Sequence, residues 1–95
     1  MAAYVILNVD VTDKERYAEY SKVAGATLTR YDGKFLVRGG RAETLEGSLE
    51  PKRVVVLEFP TLQRAKEWWA SEEYRDPKAI RQSASSADVI VVEGV

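Results

Sequence analysis

Hydrophobic positions along this chain recur with two periods, one of two residues and one of three to four, and the switches between them mark its elements. "AYVILNVDV", residues 3–11, is rich in β-branched and aromatic residues and predicts a first strand. Thr12 stands three residues before Glu15, the spacing at which an N-cap hydroxyl and a glutamate each satisfy a free backbone N–H. A helix from about Asp13 is expected, with Tyr17, Tyr20, Ala24 and Leu28 on its apolar side and Gly25 loosening or breaking it near its end. Asp32-Gly33 marks a turn, "KFLVRGG" (34–40) a second strand stopped by its glycines, and "RVVVLEF" (53–59) a third ended by Pro60. Residues 41–52 carry no periodicity and read as an exposed connection.

Thr61 suits the cap of a helix over "LQRAKEWWASEEY", in which Leu62, Ala65 and Trp69 form one apolar line. Asp76-Pro77 has the form of a helix start and predicts a short helix over 77–86, followed by a last strand, "DVIVVEG". The order strand, helix, strand, strand, helix, short helix, strand fits one α+β domain over residues 1–95. It is the ferredoxin-like βαββαβ arrangement, a four-stranded antiparallel sheet in the order 4-1-3-2 with the helices on one face.

Residues two apart in a strand share a face. Val5, Leu7 and Val9, then Val55, Leu57 and Phe59, form the sets expected under the helices, joined by Phe35 and Val37. The opposite face receives Tyr4, Ile6, Asn8 and Asp10, with Lys34, Leu36 and Arg38, and with Val54, Val56 and Glu58. In the last strand Val89 and Val91 alternate with Ile90 and Val92, so both faces are apolar and both need cover. The open face holds too much apolar surface for a monomer, and packing two such faces into a barrel predicts a homodimer.

The hairpin of strands two and three sets Arg38 opposite Val54, Leu36 opposite Val56 and Lys34 opposite Glu58, the last an ion pair worth about 0.2–1 kcal/mol. With strands one and three taken as parallel neighbours, Asn8 and Asp10 fall at the Glu58 end of the sheet. Arg38 then falls at the other end, with Arg53 and Glu93.

Fourteen Lys and Arg against fifteen Asp and Glu give a net charge of −1, with the basic residues scattered, so no nucleic-acid or membrane partner is expected. The chain has no cysteine and no histidine, which removes thiolate chemistry, cysteine-ligated metal and Ser-His or Cys-His nucleophile pairs. Apolar runs are too short to span a bilayer, and the start lacks the pattern of a signal peptide, which together predict a cytoplasmic location.

"FLVRGG", "EG" at 46–47, "RVVVLEFP", the Ala65–Tyr74 stretch with its paired tryptophans, Arg81 and the closing "VEG" resemble the domain-of-unknown-function 1330 family. The resemblance covers nearly the whole chain and implies a dimeric α/β barrel built on a ferredoxin-like monomer, without naming a reaction. Its recurrent positions fall here on Arg38, Gly39, Gly40, Glu46, Gly47, Arg53, Glu58, Phe59, Trp68, Ser71, Tyr74 and Arg81. Trp69 stands where the family often has tyrosine. Related dimeric barrels include haem-degrading and quinone-forming monooxygenases, and Asn8 with Trp68 is similar to part of the haem-degrading site. The iron-ligating histidine is absent, which argues against haem; no cofactor and no bound metal are expected.

The candidate ligand-binding residues are therefore Asn8, Arg38, Glu58, Trp68, Ser71, Tyr74 and Arg81. Arg38 suits a carboxylate held bidentately, or an ion pair with Glu43, Glu46 or an acid of a second copy, which the need of buried charge for a partner favours. Glu58 suits a general base if burial raises its pKa, or a plain ion pair with Lys34. Asn8, Asp10 and Glu58 suggest a divalent cation, though without the spacing of a dedicated loop. Trp69, in line with Leu62 and Ala65, is expected in the core. Trp68 then lines a pocket beside Ser71 and Tyr74, with Arg81 nearby, or covers the third helix. The functional expectation is a homodimeric barrel that binds or transforms a small organic acid or aromatic metabolite, against the alternative of a non-catalytic assembly module.

Overall fold

In the computed structural model, which describes residues 1–95, the two-residue alternation becomes a sheet with one buried face. The elements are β1 (Ala3–Val11), α1 (Lys14–Arg30), β2 (Lys34–Arg38), β3 (Arg53–Phe59), α2 (Leu62–Trp69), α3 (Glu72–Ala84) and β4 (Ser85–Glu93). The strand order is β2-β3-β1-β4, the expected 4-1-3-2 read from the other edge, and every pairing is antiparallel. Val5, Leu7, Val9, Val55, Leu57 and Phe59 are buried beneath the helices, as their parity predicts. The Cα atoms occupy 34 × 31 × 17 Å, the dimensions of a slab two layers thick. No helix is long and apolar enough to cross a membrane.

The helix boundaries follow from local capping. Asp13, not Thr12, caps α1, its carboxylate accepting from the Arg16 N–H at 3.1 Å. A carboxylate also answers the positive end of the helix, which a hydroxyl does not. The Thr12 and Asp13 N–H groups both donate to the Ala84 carbonyl, at 2.8 and 3.0 Å, tying the end of β1 to the end of α3. Gly25 does not break α1, which runs on to Arg30 because Ala24, Thr27 and Leu28 bury its later turns against the core. Asp32, at φ 63°, then supplies the left-handed residue that ends it.

The expected single helix over 62–74 is two. Ser71 divides them, its Oγ donating to the Trp68 carbonyl at 2.8 Å and accepting from the Tyr74 N–H at 3.1 Å. Pro77 consequently sits inside α3 and does not start a helix. The break also reverses the tryptophans. With α2 ending at Trp69, its buried residues are Ala65 and Trp68, and Trp68 is 1% exposed while Trp69 is half-buried. The Trp68 ring stacks on Tyr74 at 4.0 Å, meets Phe59 at 5.4 Å, and its indole N–H donates to Thr27 Oγ1 at 3.0 Å.

Two register findings alter the placement of polar residues. The antiparallel pairing of β1 with β3 sets Asn8 against Val54 and Tyr4 against Glu58. Asn8 and Asp10 therefore lie at the Arg53 end of the sheet, away from Glu58, while Glu93, opposite Ala3, lies at the Glu58 end and not with Arg38. The second is a bulge in β2. Lys34 faces Glu58 as expected, but the register shifts between Phe35 and Val37, so that Val37 faces Val56 and Arg38 faces Val55. One extra residue reverses the facing of everything after it. Val37 moves to the open face and Arg38 to the helix side.

Gly33 offers a test of how tightly the turn between α1 and β2 packs on the core. A methyl at this position would stand 2.6 Å from Phe59 Cε1, and Phe59 is fully buried. Gly33→Ala is expected to cost about 1–3 kcal/mol, read as a lowered midpoint in thermal or urea unfolding.

Candidate functional site

The bulge delivers Arg38 to a cavity between α1 and the sheet, whose walls include Tyr17, Tyr20, Phe35, Trp68 and Arg53. Arg38 is exposed; its Nη2 donates to the Ser21 carbonyl of α1 at 3.3 Å, and its guanidinium carbon lies 4.4 Å from the Phe35 ring centre. Neither Glu43 nor Glu46 pairs with it; Glu43 instead faces Arg41 at 3.9 Å. The enclosed space is about 20 Å³, enough for a single water.

Arg53 reaches the same cavity by strand parity. It faces Val9 on β1, on the side of β3 that carries Val55, Leu57 and Phe59, and its guanidinium carbon lies 5.6 Å from the Tyr17 ring. Gly39 makes room for it. A Cβ there would collide with the Arg53 guanidinium, and Gly39 adopts φ +74° while its N–H donates to the Val54 carbonyl at 2.8 Å. The Arg53 Nε is buried without a hydrogen-bond partner. Arg38, Arg53 and Arg81 enter none of the ion pairs of the chain.

Behind the cavity the Tyr20 and Tyr74 hydroxyls meet at 2.9 Å, and Arg81 Nε donates to the Tyr74 hydroxyl at 3.4 Å. Burial first, and the neighbouring Tyr74 second, push the Tyr20 hydroxyl well above its ordinary pKa, so it stays protonated and serves as a hydrogen-bonding group. The lining contains no carboxylate, and the chain has no histidine. The charged groups of the lining, Arg38 and Arg53, are both positive, and none of its side chains is a carboxylate or imidazole of the kind that takes a proton near neutral pH.

Of the seven candidate residues, only Arg38 and Trp68 line this cavity. Tyr74 and Arg81 stand behind it, buried at 0% and 3% exposure. Ser71 spends its hydroxyl on the break between α2 and α3. Asn8, on the other face of the sheet, clamps the connection after β2, donating to the Glu50 carbonyl at 3.1 Å and accepting from the Lys52 N–H at 2.8 Å. Glu58 pairs with Lys34 at 3.1 Å. Asn8, Asp10 and Glu58 do not converge, and no group of three or more acidic side chains is arranged to hold a metal ion. Arg53, Tyr17 and Tyr20 are the lining groups that the sequence reading did not propose, although an arginine on the parity of Val55 and Leu57 was a visible signal.

A four-stranded antiparallel sheet in the order β2-β3-β1-β4, with helices on one side and a cavity between α1 and the sheet, is the ferredoxin-like arrangement. The Domain of unknown function (DUF1330) profile matches residues 2–95, and the chain belongs to that family. No curated protein matches it significantly. Among solved structures, a protein of unknown function from Rhodopseudomonas palustris superposes with a TM-score of 0.80 at 20% identity, over 99% of this chain and 82% of that one. A dimeric ferredoxin-like protein of unknown function from Jannaschia sp. CCS1 gives 0.73 at 9% identity, over 99% and 100%. SnoaB, a cofactor-independent oxygenase from Streptomyces nogalater, gives 0.65 at 12% identity, over 99% and 93%. At these identities the likeness establishes the fold alone.

Proposed function

We propose that the chain forms a homodimer whose cavity between α1 and the sheet binds a small organic acid with an aromatic or apolar body. The observation that carries this reading is the pair Arg38 and Arg53, which enter one cavity without a counter-ion, Arg53 with a buried and unpartnered Nε. A guanidinium partly withdrawn from water, as at Arg53, is stabilised by an anion, and its fork matches a carboxylate. The aromatic walls suit the body of the acid. Because the enclosed space is only about 20 Å³, the carboxylate is the part that enters, toward Arg53, while the body of the acid stays at the mouth beside the exposed Arg38 and Phe35.

Isothermal titration with benzoate tests this. Arg53→Met is expected to weaken binding tenfold or more, the equivalent of about 1.5–3 kcal/mol for a charged hydrogen bond, while benzyl alcohol binds no better to the native chain than to the variant. Unchanged benzoate affinity in Arg53→Met contradicts the reading. Loss of the dimer in Arg38→Ala, with no benzoate bound by the native chain, replaces it with the assembly module.

The open face supports the dimer. Tyr4, Ile6, Val54 and Val56 are only half-covered there, and Ile90 and Val92 are 59% and 45% exposed. A slab whose broad face spans 34 × 31 Å has room for a stable interface, about 800 Å² per partner. The Jannaschia protein, which shares the fold, is dimeric, and this supports a pairing of two copies. Ile90→Lys is expected to shift the chain toward monomer in size-exclusion chromatography with light scattering; an unchanged mass argues against pairing through this face.

A further inference from the structure

A trough follows the helix side of the edge strand β4. Ser85, Ala87, Val89 and Val91 stand on one side of that strand, and six strand steps at about 3.3 Å make the row roughly 20 Å long. Arg81 and Gln82 of α3 face its first part across a depression of about 300 Å³. Ala65, Lys66 and Trp69 of α2 face its second part across an apolar groove of about 450 Å³. Trp69 and Val89 line both, so the two are continuous. The groove alone falls in the range of small-molecule sites, about 300–1,000 Å³.

The charges along the trough have one sign. Arg81 is 3% exposed yet lines the depression; it enters no ion pair, and its one side-chain hydrogen bond is the 3.4 Å contact with the Tyr74 hydroxyl. Its guanidinium carbon lies 5.9 Å from the Trp69 ring centre. Lys66 is the other charged group of the lining, and no carboxylate lines either part. An unpaired buried guanidinium at the head of an apolar groove complements an amphiphile that has an anionic end and a hydrocarbon tail.

We propose that this trough is a second ligand site, separate from the α1 cavity, which takes an aliphatic carboxylate. The carboxylate meets Arg81, with Gln82 and Ser85 beside it, and the chain lies along Trp69, Val89 and Val91. The half-buried Trp69 forms the wall between head and tail, so an occupant changes the surroundings of its indole.

Titration of the full chain with hexanoate, octanoate and decanoate, followed by tryptophan fluorescence and calorimetry, tests the proposal. Affinity is expected to rise about threefold to fourfold per methylene, from about 0.8 kcal/mol for each buried CH₂. Decanol should bind at least tenfold more weakly than decanoate, and Arg53→Met should bind decanoate as the native chain does. Arg81→Met should lose tenfold or more while its melting temperature holds or rises, because an unpaired buried charge has been removed; a purely structural arginine would give a fall. Should that variant not fold, Val91→Trp fills the groove with Arg81 in place and is expected to abolish decanoate binding in calorimetry. Affinity independent of chain length, decanol equal to decanoate, or native binding in Val91→Trp overturns the proposal. So does a dimer that dissociates in Val91→Trp with no decanoate bound by the native chain, which assigns the trough to a second copy.

Discussion

Arg53 stands on the helix side of β3, in line with Val55, Leu57 and Phe59, at a position where a strand of this architecture ordinarily buries an apolar side chain. A slab 17 Å thick has little interior in which to hide a charge. The chain accommodates the guanidinium by stacking it on Tyr17, removing the β-carbon of residue 39, and placing β2 so that Gly39 can pass beside it. These features explain the local shape of the hairpin end but do not supply a negative partner. The missing partner is the physical basis for reading the cavity as a site for an anion.

The bulge in β2 brings the second guanidinium to the same place. Without it, Arg38 would share the open face with Val56 and enter the surface through which two copies are proposed to pair. With it, Arg38 bonds to α1 through the Ser21 carbonyl and closes the cavity mouth. The two proposed roles of the sheet are thereby separated: the apolar open face is left to assembly, and the helix side keeps the unpaired arginines. Arg81 extends the pattern to the far side of the aromatic cluster, where Trp68, Trp69 and Tyr74 divide the α1 cavity from the trough along β4.

Strand parity and capping chemistry made the sheet, its order and most of its core legible in the sequence. The bounds of β1 and β3, the apolar side of α1 and the Lys34–Glu58 pair all followed from period and turn residues. The candidate site was less legible, because its geometry depends on single-residue events that leave no periodic trace. A one-residue bulge reversed Arg38, a serine cap reversed Trp68 and Trp69, and the antiparallel sense of β1 against β3 separated Asn8 from Glu58. Arg53 was legible, since its parity is that of the buried set, yet a charged residue at a strand start looks like an ordinary polar end.

The arginine side-chain Nε–Hε resonances in ¹⁵N-resolved NMR report directly on the central claim, that Arg53 and Arg38 together form an anion site. Titration with benzoate is expected to move the Arg53 and Arg38 signals along one saturable curve and to slow exchange of the Arg53 Hε with water, while Arg75, paired with Asp76 on the surface, stays fixed. Arg53 and Arg38 signals that remain in place at saturating benzoate, or that move only in step with Arg75, would contradict it.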